Sequence, residues 1–115
     1  MRVKFTDLEP EWVKYCPTGL YRSKEDGEQI DASNADGIMF LDPKEFDKKG
    51  GAVGCSSIVV WFRGKVPAEA SPGPGRWELL DSNFETFTLN PSIDLTGGGQ
   101  HPDYWHGWVQ KGWAT

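Results

Sequence analysis

The order of apolar and polar positions divides this chain into short strand-like runs separated by turn formers. Arg2-Val3-Lys4-Phe5 alternates with period two and predicts a short edge strand. Glu11-Trp12-Val13-Lys14-Tyr15 alternates again after Pro10 and is stopped by Cys16-Pro17 and Gly19. Residues 22–36 carry no apolar period and read as a loop with at most one helical turn. Ile38-Met39-Phe40-Leu41 is a continuous apolar run of strand length, consistent with a buried strand. Ser56-Ser57-Ile58-Val59-Val60-Trp61-Phe62, β-branched and aromatic between Gly54 and Gly64, is the strongest strand signal in the chain.

Asp42 to Gly50 is the one helical segment. Asp42 caps it, Pro43 suits the first helical position, Glu45 completes a capping box and Gly50 suits the exit. Ser71-Pro72-Gly73-Pro74-Gly75 excludes regular structure and predicts a long loop. Trp77-Glu78-Leu79-Leu80 and Glu85-Thr86-Phe87-Thr88-Leu89 read as antiparallel neighbours across a turn at Asp81-Ser82-Asn83. Gly97-Gly98-Gly99 opens another loop, and Trp105 to Trp113 reads as a last strand with a turn at Lys111-Gly112. The expectation is a mainly β chain: a single β-rich domain over residues 1–115, built as a compact antiparallel barrel or sandwich with one short helix and long ordered loops.

Composition supports that picture. At 115 residues, with 37% hydrophobic and 25% charged positions, the chain is long enough for one modest core and is globular rather than disordered. Aromatic residues reach 13%, six of them Trp, and 14 Gly and 8 Pro supply turns. A net charge of −5 and a pI near 4.9 argue against a nucleic-acid partner, because any basic face would be broken by acidic residues. No apolar run approaches the roughly 18–20 residues that span a bilayer, so no membrane partner is expected. Met1 to Asp7 lacks the apolar core of a signal peptide, and Cys16 and Cys55 read as two isolated thiols of a reducing compartment. The chain is therefore expected not to be secreted.

Two short segments carry the candidate chemistry. Asp42-Pro43-Lys44-Glu45 and Asp103-Tyr104-Trp105-His106 share a ligand-x-x-ligand spacing, as paired zinc-ribbon knuckles do, with carboxylates where thiolates usually stand. Asp42, Glu45, Asp103 and His106 are thus candidate ligands of one divalent metal; two aspartates, a glutamate and a histidine suit zinc, manganese or iron. The competing explanation needs no metal: Asp42 and Glu45 serve a helix cap, Asp103 follows Pro102 in a turn, and His106 is a buried hydrogen-bonded side chain. His101 is expected at the surface, and Cys16 and Cys55 as buried structural thiols. The Gly97–Gly99 loop lacks the Lys and Ser/Thr of a phosphate-binding loop. Trp61, Trp77, Trp105 and Trp108 are expected in the core, with Trp12 and Trp113 exposed.

Several of these runs, in their order, carry a resemblance. Asp36 to Phe46, Val59-Val60-Trp61-Phe62 with Val66-Pro67, Pro72 to Trp77, Leu89-Asn90-Pro91-Ser92-Ile93 and Trp105-His106-Gly107-Trp108-Val109 resemble a family of small tailed-phage proteins of unknown function, over roughly residues 35–112. The resemblance implies Cys-Pro-x-Cys at the first knuckle and Cys-x-Trp-His-Gly at the second. Those ligands fall on Asp42, Glu45, Asp103 and His106, and only the histidine is retained.

Two classes of function follow. One is a phage-encoded, non-enzymatic binding or accessory protein that acts by contact with a host or virion protein, in the host cytoplasm or as a decoration on the capsid surface. The other is a small metal-dependent hydrolase with the four ligands around a metal-bound water and Asp94 or Glu85 as base.

Overall fold

A computed structural model describes residues 1–18 and 20–115. In chain order the strands are β1 (Val3–Lys4), β2 (Glu11–Cys16), β3 (Leu20–Arg22), β4 (Lys24–Glu25), β5 (Glu28–Gln29) and β6 (Gly37–Leu41). The helix α1 (Pro43–Lys49) follows, then β7 (Ser57–Trp61), β8 (Glu78–Asp81), β9 (Thr88–Asn90) and β10 (Ile93–Asp94). β11 (His106–Gly107), β12 (Val109–Gln110) and β13 (Trp113–Ala114) complete the chain. Single 3-10 turns occupy Phe5–Leu8 and Phe84–Thr86. The protein is mainly β, as its patterning requires, and its antiparallel sheets include one curled into half a barrel.

The largest sheet has the order β3-β2-β6-β7, with Phe40 opposite Ile58 and Ile38 opposite Val60. Ile38, Phe40, Ile58 and Val60 turn one face of it into the main core, where they meet Phe5, Phe87, Leu89, Ile93, Trp105 and Val109. Phe5 stacks on Phe87 at 4.2 Å between ring centroids and meets Phe40 edge-on at 5.2 Å. The other face is covered at one end: Trp61 is fully buried, lies edge-on to Tyr15 and donates its indole N–H to the Ser71 carbonyl at 3.0 Å. One face buried in the core and the other partly covered, with Met39, Leu41 and Val59 half-buried, fit the apolar runs of β6 and β7. A second sheet, β1-β13-β12, holds the two ends of the chain side by side, with the Arg2 guanidinium 3.8 Å from the Trp113 ring centroid.

Four local expectations change. Residues 24–29 form the β4–β5 hairpin across Asp26-Gly27 rather than a plain loop; both its strands are exposed, so no apolar period marks them. The expected strand over residues 85–89 begins as a 3-10 turn and becomes strand only at Thr88. The run from Trp105 to Trp113 is three two-residue strands in two sheets, not one strand with a turn. Trp108 is 41% exposed, whereas Trp12 packs on the core with its ring stacked on Phe84, so these two tryptophans exchange their expected places.

Candidate functional site

The helix that carries the first two candidate ligands forms for the reasons its sequence states. Asp42 stands at the N-cap, and its Oδ1 accepts the backbone N–H groups of Lys44 and Glu45 at 2.9 and 3.2 Å. Gly50 ends the helix in the left-handed region, at φ 72°. The reciprocal half of the capping box is not made. The Asp42 N–H instead donates to the Ser56 carbonyl, and the Glu45 carboxylate accepts the Ser56 N–H at 2.6 Å. That bond holds the Glu45 carboxyl below the usual carboxylate range, with lesser help from the Ser56 hydroxyl and Lys49.

The second segment does come alongside the first. Lys44 Nζ donates to the Asp103 carbonyl oxygen, and the rings of Phe40 and Trp105 meet edge-on at 6.3 Å. The side chains are another matter. His106 is exposed on β11, directly opposite Asp94 on β10, and the Asp103 side chain is exposed. Among the described residues, no three His, Cys, Asp or Glu side chains gather into a group able to hold a metal ion. The expected quartet of Asp42, Glu45, Asp103 and His106 is therefore not assembled here: Asp42 and Glu45 are committed to backbone N–H groups, and His106 faces a different carboxylate. His106 is also not the buried side chain that the metal-free reading supposed.

The Asp94 carboxyl is held below the usual range, first by the Thr96 hydroxyl, then by the Thr96 N–H and the nearby His106. Glu85, the other candidate base, is exposed on the Phe84–Thr86 turn, and its carbonyl oxygen lies where a side chain on Gly112 would begin. Gly107 is fixed by a similar approach, since a Cβ there would stand 2.6 Å from both the Thr115 carbonyl oxygen and Trp105 Nε1. His101 is exposed, as expected, and stacks on Tyr104 with ring centroids 4.7 Å apart. Cys16 and Cys55 are half-buried rather than buried, and the Cys55 thiol donates to the Gly51 carbonyl.

A second feature carried no sequence motif. A largely apolar groove of roughly 400 Å³ lies along the outer edge of β7, between Ile58-Val59-Val60, the Pro72–Trp77 segment and Pro91–Leu95. Its far wall is built by Arg76, whose guanidinium donates to five carbonyls, those of Pro67, Ala68, Ala70, Pro72 and Gly75. One charged fork thereby gives a Pro- and Gly-rich loop a defined course. Trp77 closes one end: its N–H bonds to the Trp61 carbonyl, its carbonyl accepts the Arg63 N–H, and its indole N–H reaches the Ser92 carbonyl at 3.2 Å. A dense run of Pro and Gly beside an apolar strand is the signal that could have pointed here.

Comparison with family models, with curated proteins and with solved structures found no match.

Proposed function

We propose that this chain is a phage-encoded, non-enzymatic binding protein that acts by contact with a host or virion protein. The observation that carries the reading is the apolar groove beside β7, formed by an ordered loop rather than left by loose packing. Exposed Trp108 and Tyr104, on the segments around β11, add aromatic surface of the kind enriched at protein contacts. The phage origin rests on the resemblance of the ordered sequence runs to small tailed-phage proteins. A place on the capsid surface is one form of the same reading, with a virion protein as the partner. No helix among the described residues is long and apolar enough to cross a membrane.

The hydrolase alternative draws on the approach of α1 to the Asp103 loop through Lys44. It requires Asp42 and Glu45 to give up their backbone donors before they could hold a metal. The test begins with protein expressed from the phage genome during infection and cross-linked to whatever it touches. The reading expects one host or virion protein, which binds the purified chain again when the two are mixed alone. Stoichiometric metal in the purified protein, with a hydrolytic activity abolished by chelator, would overturn it.

A further inference from the structure

The two halves of the outer edge of β7 are not equivalent, although both belong to one strand. Antiparallel pairing with β6 uses the even-numbered residues: Phe62 N–H bonds to the Asp36 carbonyl, and the Ser56 carbonyl accepts the Asp42 N–H. Alternation then turns the N–H and C=O groups of Ser57, Val59 and Trp61 outward. Trp61 meets Trp77 there, and the pairing continues to Arg63. Upstream of Trp77 the chain cannot continue the ladder, because Pro72 and Pro74 have no N–H and the Gly75 carbonyl is taken by Arg76. Ser57 and Val59 are left with an open row of backbone groups, and Val59 lies at the base of an apolar groove.

We propose that this open half of β7 is a docking edge for an extended peptide segment of a partner protein, which adds a strand beside Ser57–Val59. The proposal rests on the binding-protein reading and names its site and its ligand chemistry. The occupant is an extended segment with apolar residues at alternate positions, because the groove offers backbone partners on one side and apolar walls on the other. It carries a Lys or Arg. Two charged side chains line the groove: Arg76 is spent on carbonyls, while the Thr96 N–H and hydroxyl use only Oδ1 of Asp94. Arg76 keeps its positive charge but has its donors occupied, so the charged group still open to a ligand is the Asp94 carboxylate through Oδ2, and it takes a basic side chain. A second copy of this chain fits the edge less well. Each copy carries a net charge of −5, so pairing edge to edge would bring two like-charged chains together.

The probe is a displayed library of random heptapeptides, selected on the full chain and followed by one enriched sequence made synthetically. Enriched sequences are expected to alternate apolar residues and to place a basic residue at one fixed position. On titration, the backbone amide signals of Ser57 and Val59 move first. Val59→Pro removes the outward donor while sparing the pairing with β6, and abolishes binding. Asp94→Lys weakens binding by at least roughly tenfold. If Val59→Pro fails to fold, as judged by circular dichroism, the Asp94→Lys titration and the amide map decide the matter. The proposal is overturned if no sequence is enriched, or if bound peptide moves amides elsewhere. It is equally overturned if the Ser57 and Val59 amides become protected with rising protein concentration and no peptide, which would assign the edge to a second copy. A cross-linked partner that binds at another surface would leave the binding-protein reading standing and remove this one.

Discussion

The strand β7 meets two neighbours of opposite character along a single edge. Beside Trp61 to Arg63 it is sealed by Trp77, which supplies both backbone partners and a ring large enough to fill the space above Gly75. Beside Ser57 to Val59 the neighbouring chain is Pro72-Gly73-Pro74-Gly75, in which the prolines have no N–H and the Pro72 and Gly75 carbonyls accept from Arg76. The same β-branched, apolar strand, whose Ile58 and Val60 both reach the core, thus has its outer edge closed at one end and set along a surface groove at the other. What differs is not the strand but the hydrogen-bonding capacity of what lies next to it.

The comparison can be broken most severely at Trp77. Trp77→Ala removes the ring that packs on the core and anchors Ser92, and is expected to cost about 3 kcal/mol in urea unfolding. Amide exchange at Arg63 should rise at the same time, because the sealed half becomes open. Arg76→Ala leaves five carbonyls without their shared donor. A loss of about 2 kcal/mol is expected, with new proteolytic cleavage confined to residues 67–76. Cleavage elsewhere would show that the loop holds its course without the arginine.

Two substitutions in α1 serve as controls remote from the groove. Asp42→Ala removes an N-cap and should cost about 1 kcal/mol, equally with and without chelator, while amide exchange along β7 stays unchanged. A loss of several kcal/mol that depends on added metal would contradict the capping account. The smallest effect is expected at Glu45. Its carboxyl is depressed in the folded chain, so its contribution is present above the unfolded pKa and disappears as pH falls through the folded value. Glu45→Gln should therefore melt slightly lower at neutral pH and match the parent in strong acid. A constant difference across that range would show that the Ser56 bond is not charge-dependent.

Much of this architecture was legible wherever burial imposes a period. β2, β6 and β7 follow from their apolar patterns, and α1 from Asp42, Pro43 and Gly50. The β4–β5 hairpin was not legible by pattern, because neither of its faces is buried, although Asp26-Gly27 was a turn signal in plain view. Trp108 and Trp12 exchanged places because an aromatic residue carries the same local signal in a core and on a surface; the packing of Phe84, Phe87 and Phe62 against Trp12 separates them. The candidate site divides in the same way. Spacing led to the meeting of α1 with the Asp103 loop, yet it could not show that Glu45 would turn to Ser56. The open edge was invisible, since it arises from a pairing parity and from donors that proline lacks.

Amide hydrogen exchange across Ser57 to Arg63 tests the central claim most directly. The account predicts that the N–H of Val59 exchanges orders of magnitude faster than those of Ile58 and Val60, and that Arg63, sealed by Trp77, is slow. Protection of Val59 equal to that of Val60, in dilute protein without peptide, would mean that the edge is already filled and would contradict the account.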